Sequence, residues 1–106
     1  MVNEYGAPLD SNGYAPSIIQ DDLSYCYLSF RTDGKLDRHE IFPGAYRGKS
    51  KRLGLWVMLN HELHLHITQT DCLPQYELKR IAQQIAMERY GWTKQEFIRQ
   101  FGKNYL

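Results

Sequence analysis

Asn60-His61-Glu62-Leu63-His64-Leu65-His66 decides how this chain is read, because it holds three of its four histidines within six residues. Imidazole is the commonest metal-binding side chain near neutral pH, and zinc suits clustered nitrogen donors. A single histidine in such a place would be polar decoration; three together, with a fourth on a strand, point to a shared ion. Asn60 is a good helix N-cap, so a short helix is expected from there. On it, His61 and His64 are three apart and share a face. His66 joins them only if the chain becomes extended or the helix ends. The preceding run, Leu53 to Leu59, is apolar and of strand length.

Working back, the fourth histidine stands in Arg38-His39-Glu40-Ile41-Phe42. Lys35 to Phe42 reads as a strand, with Leu36, Arg38 and Glu40 on one face and Asp37, His39 and Ile41 on the other. Thr32-Asp33-Gly34 is a turn, and Tyr25 to Phe30, dense in aromatic and β-favouring residues, is the expected first arm of a hairpin. Between the strands, residues 44 to 52 read as a glycine-containing basic loop. Its Arg47, Lys49, Lys51 and Arg52 could grip phosphates or simply be solvated.

Working forward, Pro74 suits the first turn of a helix from Gln75 to Tyr90, with Leu78, Ile81, Ala82 and Ile85 at helical spacing and Gly91 as its stop. Thr93-Lys94-Gln95-Glu96 has capping-box form. It opens a last helix whose predicted buried stripe is Phe97, Ile98 and Phe101, closed by Gly102. Residues 1 to 24 are rich in Gly, Pro, Asn, Ser and Asp and read as an extended acidic leader, pinned in places by Tyr5, Tyr14, Ile18 and Ile19.

The 106 residues suit one domain, 25–106 with its leader 1–24. Two Trp, eight Tyr and four Phe argue against disorder. The apolar runs are too short for a membrane span, and no basic-then-apolar signal opens the chain, so a cytoplasmic protein is expected. Cys26 and Cys72 do not make a disulfide framework; a free thiol or a metal ligand is expected. Net charge is only +1, but the leader holds Glu4, Asp10, Asp21 and Asp22 with no Lys or Arg, leaving 13 basic and 8 acidic residues in the body. A basic body can bind phosphate backbone, though less strongly than a highly basic domain.

The order strand, strand, histidine-bearing helix is a ββα order. Arg38-His39-Glu40-Ile41-Phe42, Arg47, Lys49-Ser50, Gly54-Leu55, Val57, Leu59, His64, Gly91, Phe97 and the ending Phe101-Gly102-Lys103-Asn104-Tyr105-Leu106 resemble small phage-encoded proteins of the HNH (His-Me finger) nuclease type. The resemblance covers roughly residues 25 to 106. It implies an α+β fold, with a small ββα-metal core, a β-hairpin and two C-terminal helices. In that family one metal ion stabilises the phosphoryl transition state while a strand histidine activates water. It implies His39 as base or as a metal ligand beside Glu40, which is itself a candidate base, and His64 and His66 as helix-borne ligands. His61 is an extra candidate. Cys26 begins what is a Cys-x-x-Cys pair in several relatives, with Ser29 at the partner position, so a mixed zinc site with Cys26 or Cys72 is also possible. The position of the family's namesake asparagine falls near Leu55.

Two functions follow. The favoured one is a zinc-binding phage or prophage protein with a degenerate site, which binds and inhibits a host defence protein such as a CRISPR effector nuclease. The alternative is an active DNA endonuclease using Mg²⁺ or Mn²⁺, with the basic residues of 47–52 on the backbone.

Overall fold

The computed structural model describes residues 1–106. Strands β1 (Leu36–Glu40) and β2 (Trp56–Asn60) pair antiparallel, Leu36 opposite Asn60 and Glu40 opposite Trp56. Between them run a 3-10 turn (Gly44–Tyr46) and a short helix α1 (Arg47–Arg52). Helices α2 (His61–Gln69), α3 (Leu73–Tyr90) and α4 (Lys94–Phe101) complete an α+β fold. No helix is long and apolar enough to cross a membrane.

Cross-strand partners share a face, so the register sorts the sheet. Asp37 and His39 stand with Leu59 and Val57 on the side that receives α2 and the core. Arg38 and Glu40 stand with Met58 and Trp56 on the other side, which residues 1–24 cover. There the Trp56 indole donates to the Ala15 carbonyl at 2.8 Å and the Arg38 guanidinium lies 4.4 Å from the Tyr14 ring centre. The leader also guards the outer edge of β2. Ser17 Oγ donates to the Trp56 carbonyl at 2.6 Å, and the Gln20 side chain accepts from the Met58 amide at 2.8 Å. An edge strand covered in this way cannot recruit another chain. The Cα radius of gyration, 13.4 Å, is near the ~13 Å of a compact chain of this length, so the leader lies against the body.

Three expectations are corrected. Tyr25–Phe30 is not a strand. The Cys26 amide donates to the Arg31 carbonyl and the Phe30 amide to the Cys26 carbonyl, both at 2.8 Å, closing a tight turn in which Phe30 takes φ +64°. Its one backbone–backbone hydrogen bond to β2 runs from the Tyr27 amide to the Met58 carbonyl. The hairpin partner of β1 is therefore β2. Residues 44–52 are not a loop but the 3-10 turn and α1. Their anchor is Ser50, fully buried, whose hydroxyl donates to the Leu55 carbonyl at 2.6 Å and accepts from the Phe42 amide at 3.3 Å. Ile98 is exposed, and Ile81 and Ile85 are half-buried; the core faces are Leu78, Ala82 and Ala86 on α3 and Phe97 and Phe101 on α4.

The helix boundaries follow local chemistry. Pro74 is in the first turn of α3, and Gly91 ends it with φ +69°. Thr93 caps α4, accepting from the Glu96 amide, and Gly102 ends it with φ +81°. Gln83, fully buried on α3, fastens the C-terminal tail. Its amide donates to Asn104 Oδ1 at 2.8 Å and accepts from the Tyr105 amide at 2.7 Å. That holds Tyr105 against Phe42, whose ring also packs on Phe97 and Phe101.

Candidate active site

β1 and α2 build the site. Strand alternation puts Asp37 and His39 on one face, and the helix that follows β2 directly lays His61 and His64 above it. Asn60 takes the N-cap position with extended backbone, but its side chain caps nothing. Its oxygen accepts from Ser29 Oγ at 2.9 Å and its amide donates to Glu62. One carboxylate oxygen, Asp37 Oδ2, lies 2.7 Å from His61 Nδ1 and 2.9 Å from His64 Nδ1. Lys35 Nζ is 3.8 Å from the other oxygen. Burial pushes the Asp37 carboxyl up, but the hydrogen bonds from His64 and His61 and the charges of His61 and Lys35 outweigh it and hold Asp37 below the usual carboxylate range. Asp37 is thus an anion bridging two imidazoles.

His39 is 4% exposed, and its ring meets that of His64 edge-on at 5.3 Å between centres. Neither ring nitrogen is hydrogen-bonded to the protein. Burial, then the charges of His64 and Lys79, lower its pKa to about 4 against the opposing pull of Glu40. His39 is therefore a neutral imidazole near pH 7, with a free lone pair but weaker as a base than an ordinary imidazole. It opens on a cavity of about 380 Å³ that Tyr14, Arg38, Glu40, Arg47 and His64 also line.

The other predicted site residues divide. α2 stays helical to Gln69, so His66 points away from His61 and His64, exposed and unpaired. Cys26 is wholly buried in the apolar core, apart from the histidines. Burial raises its thiol pKa, yet hydrogen bonds from the Ser29 hydroxyl and the Asn60, Ser29 and Leu28 amides bring it below the ordinary value. Glu40 is tied to Arg47, on the opposite strand face from His39. Lys49 donates to the Gln100 carbonyl at 2.8 Å, Lys51 sits 4.8 Å from the Tyr14 ring centre, and Arg52 pairs with Glu4 at 2.8 Å. Of the four basic residues of 47–52, only Arg47 lines the cavity. Leu55 is fully buried in the core.

Asp37, which joins His61 and His64, is a residue that the sequence places on the right face without giving it a role. Its signal was the spacing: Asp37 and His39 are two apart on a strand, one carboxylate and one imidazole facing the same way. Tyr14 was expected only as a pin, yet it forms a wall of the cavity.

No group of three or more His, Cys, Asp or Glu side chains is set as a ready cation cage. The Asp37, His61 and His64 donors fit zinc or another divalent ion in type, since a carboxylate and two imidazoles are common ligands. They differ in spacing. Donors about 2.1 Å from a tetrahedral ion lie roughly 3.4 Å apart, so the 2.7 Å and 2.9 Å contacts must open by about 0.7 Å and about 0.5 Å. Comparison of the chain with protein-family models, with curated proteins and with solved structures finds no match.

Proposed function

We propose that this chain is a metal-dependent nuclease of the HNH-like kind, cutting phosphodiester bonds in DNA. The observation that carries the reading is the meeting of Asp37 and His39 from one strand face with His61 and His64 of α2, beside a cavity that His39, His64 and two arginines line. His39 is the general base: buried and neutral, it takes the proton of a water that attacks phosphorus in line. Asp37 with His61 and His64 would hold the cation, the two Nδ1 atoms giving up their hydrogen bonds to Asp37 Oδ2 to do so. An ion held there would supply charge stabilisation to the phosphoryl transition state and the leaving oxygen. Arg38 and Arg47 stand at the rim, each paired with a carboxylate, Asp10 and Glu40.

The test is supercoiled plasmid incubated with Mg²⁺, Mn²⁺, Ni²⁺ or Zn²⁺. The proposal expects cutting that disappears in His39→Ala and Asp37→Ala and survives in His66→Ala and Cys26→Ser.

One observation favours the second reading, a zinc-stabilised protein that inhibits a host CRISPR effector. The buried Leu55 leaves no polar side chain at the family's asparagine position to orient His39. That reading gains if no metal supports cutting, about one zinc per chain copurifies, and the protein blocks target cleavage by such an effector.

A further inference from the structure

Two of the leader's four carboxylates, Asp10 and Glu4, pair with cations of the body. Asp10 closes a local turn and pairs with Arg38. Its Oδ1 accepts from the amides of Asn12 at 2.9 Å and Tyr14 at 3.0 Å, and its Oδ2 accepts from the Arg38 guanidinium at 3.0 Å. The two amides belong to Asp10's own turn, and the arginine is the contact that a nucleic-acid phosphate can take over. Arg38 is fixed for this by aromatic faces, 4.4 Å from the centre of Tyr14 and 5.0 Å from that of Trp56. On the same ring of Tyr14 lies Lys51. Arg38 and Tyr14 line both the histidine cavity and a second depression formed with leader residues Pro8, Leu9 and Asp10. The leader therefore runs beside the site, and its charge neutralises the arginine at the rim. Further back, Glu4 does the same to Arg52.

We propose that the leader is a built-in competitor for nucleic acid: Asp10 occupies the place of a backbone phosphate on Arg38, and a bound strand must displace its carboxylate. From the nuclease reading this takes only the nature of the ligand; it does not need the strand to be cut. The device sets a threshold. A strand able to make several phosphate contacts at once displaces the carboxylate, and an isolated anion does not.

Asp10→Asn separates charge from structure. The asparagine oxygen still accepts from the two amides, so the 10–14 turn stands, while Arg38 loses its counter-charge. Binding of a fluorescein-labelled single-stranded DNA oligonucleotide is followed by anisotropy in chelator, between about 50 and 200 mM salt. Asp10→Asn is expected to bind about fivefold more tightly than wild type at the low end, with a salt slope steeper by about 0.7, the increment of one added phosphate contact. Glu4→Gln, which frees Arg52 without touching that turn, moves affinity the same way. Asp21→Asn makes an equal change in net charge where no ion pair exists, and should gain less than about twofold. Equal gains from Asp21→Asn and Asp10→Asn would reduce the effect to net charge and overturn the proposal. So would a gain that persists in Asp10→Asn/Arg38→Gln, or no binding by wild type and Asp10→Asn alike. Metal-dependent cutting with unchanged Asp10→Asn affinity removes the competitor and leaves the nuclease.

Discussion

His39→Gln should flatten the acid limb of the stability curve. In the fold this imidazole is buried beside His64 with a pKa of about 4, against 6.5 for the ordinary group. Below the ordinary value the unfolded chain takes up a proton that the folded chain refuses, so stability falls as pH falls. The cost begins near 6.5, grows by about 1.4 kcal/mol per pH unit, and is complete near 4. Between about pH 8 and pH 5.5, the two pKa values give a loss of about 1.4 kcal/mol from this residue alone. The assay is urea unfolding of wild type and His39→Gln at both pH values, in chelator. Other titrating groups contribute to both proteins and cancel in the difference of slopes. Wild type should lose about 1.4 kcal/mol more than the variant over that interval, whatever the variant's own stability. In melting temperature this is about 6 °C for a chain of this size. Equal losses in the two proteins would mean that His39 already titrates normally in the fold, and would remove the argument that it is a neutral base.

Three other outcomes follow from packing and chemistry. Gly54→Ala places a Cβ 2.4 Å from the Pro16 carbonyl oxygen at φ +74°, whereas Gly34→Ala at φ +75° meets nothing within 4 Å. Both bear the left-handed penalty of about 1–2 kcal/mol, and chemical denaturation should show Gly54→Ala losing at least about 1 kcal/mol more. Gln83→Ala orphans the Tyr105 amide and Asn104; a loss of about 2–3 kcal/mol is expected, with faster hydrogen exchange of the Tyr105 amide. In the plasmid assay His39→Ala and Asp37→Ala should both abolish cutting, while His66→Ala stays within about twofold of wild type.

Signals that act over a few residues were legible. Pro74, Gly91, Thr93 with Glu96, and Gly102 bound their helices where the sequence puts them, because capping is decided within one turn. The capping box itself is only half formed: Glu96 turns its carboxylate to Arg99 and Gln100 rather than back to Thr93. The shared face of Asp37 and His39 was legible for the same reason, since strand alternation needs no partner. Tyr25–Phe30 misled because aromatic density marks burial as readily as pairing. The competing turn around Cys26 and Phe30 is set by hydrogen bonds that propensity does not encode. The basic stretch read as a loop because Ser50, which anchors it from beneath, looks like any surface serine. Which histidines of α2 reach β1 depended on whether the helix continued past His64. That is a tertiary outcome, and it excluded His66.

Calorimetric titration of the apoprotein with Zn²⁺ and Mn²⁺ reaches the central claim most directly, that a strand carboxylate and two helix imidazoles hold one ion. Wild type and His66→Ala should each bind about one ion per chain, and Asp37→Ala and His64→Ala should lose it while keeping their fold. Full binding in Asp37→Ala, or none in wild type, would contradict the account.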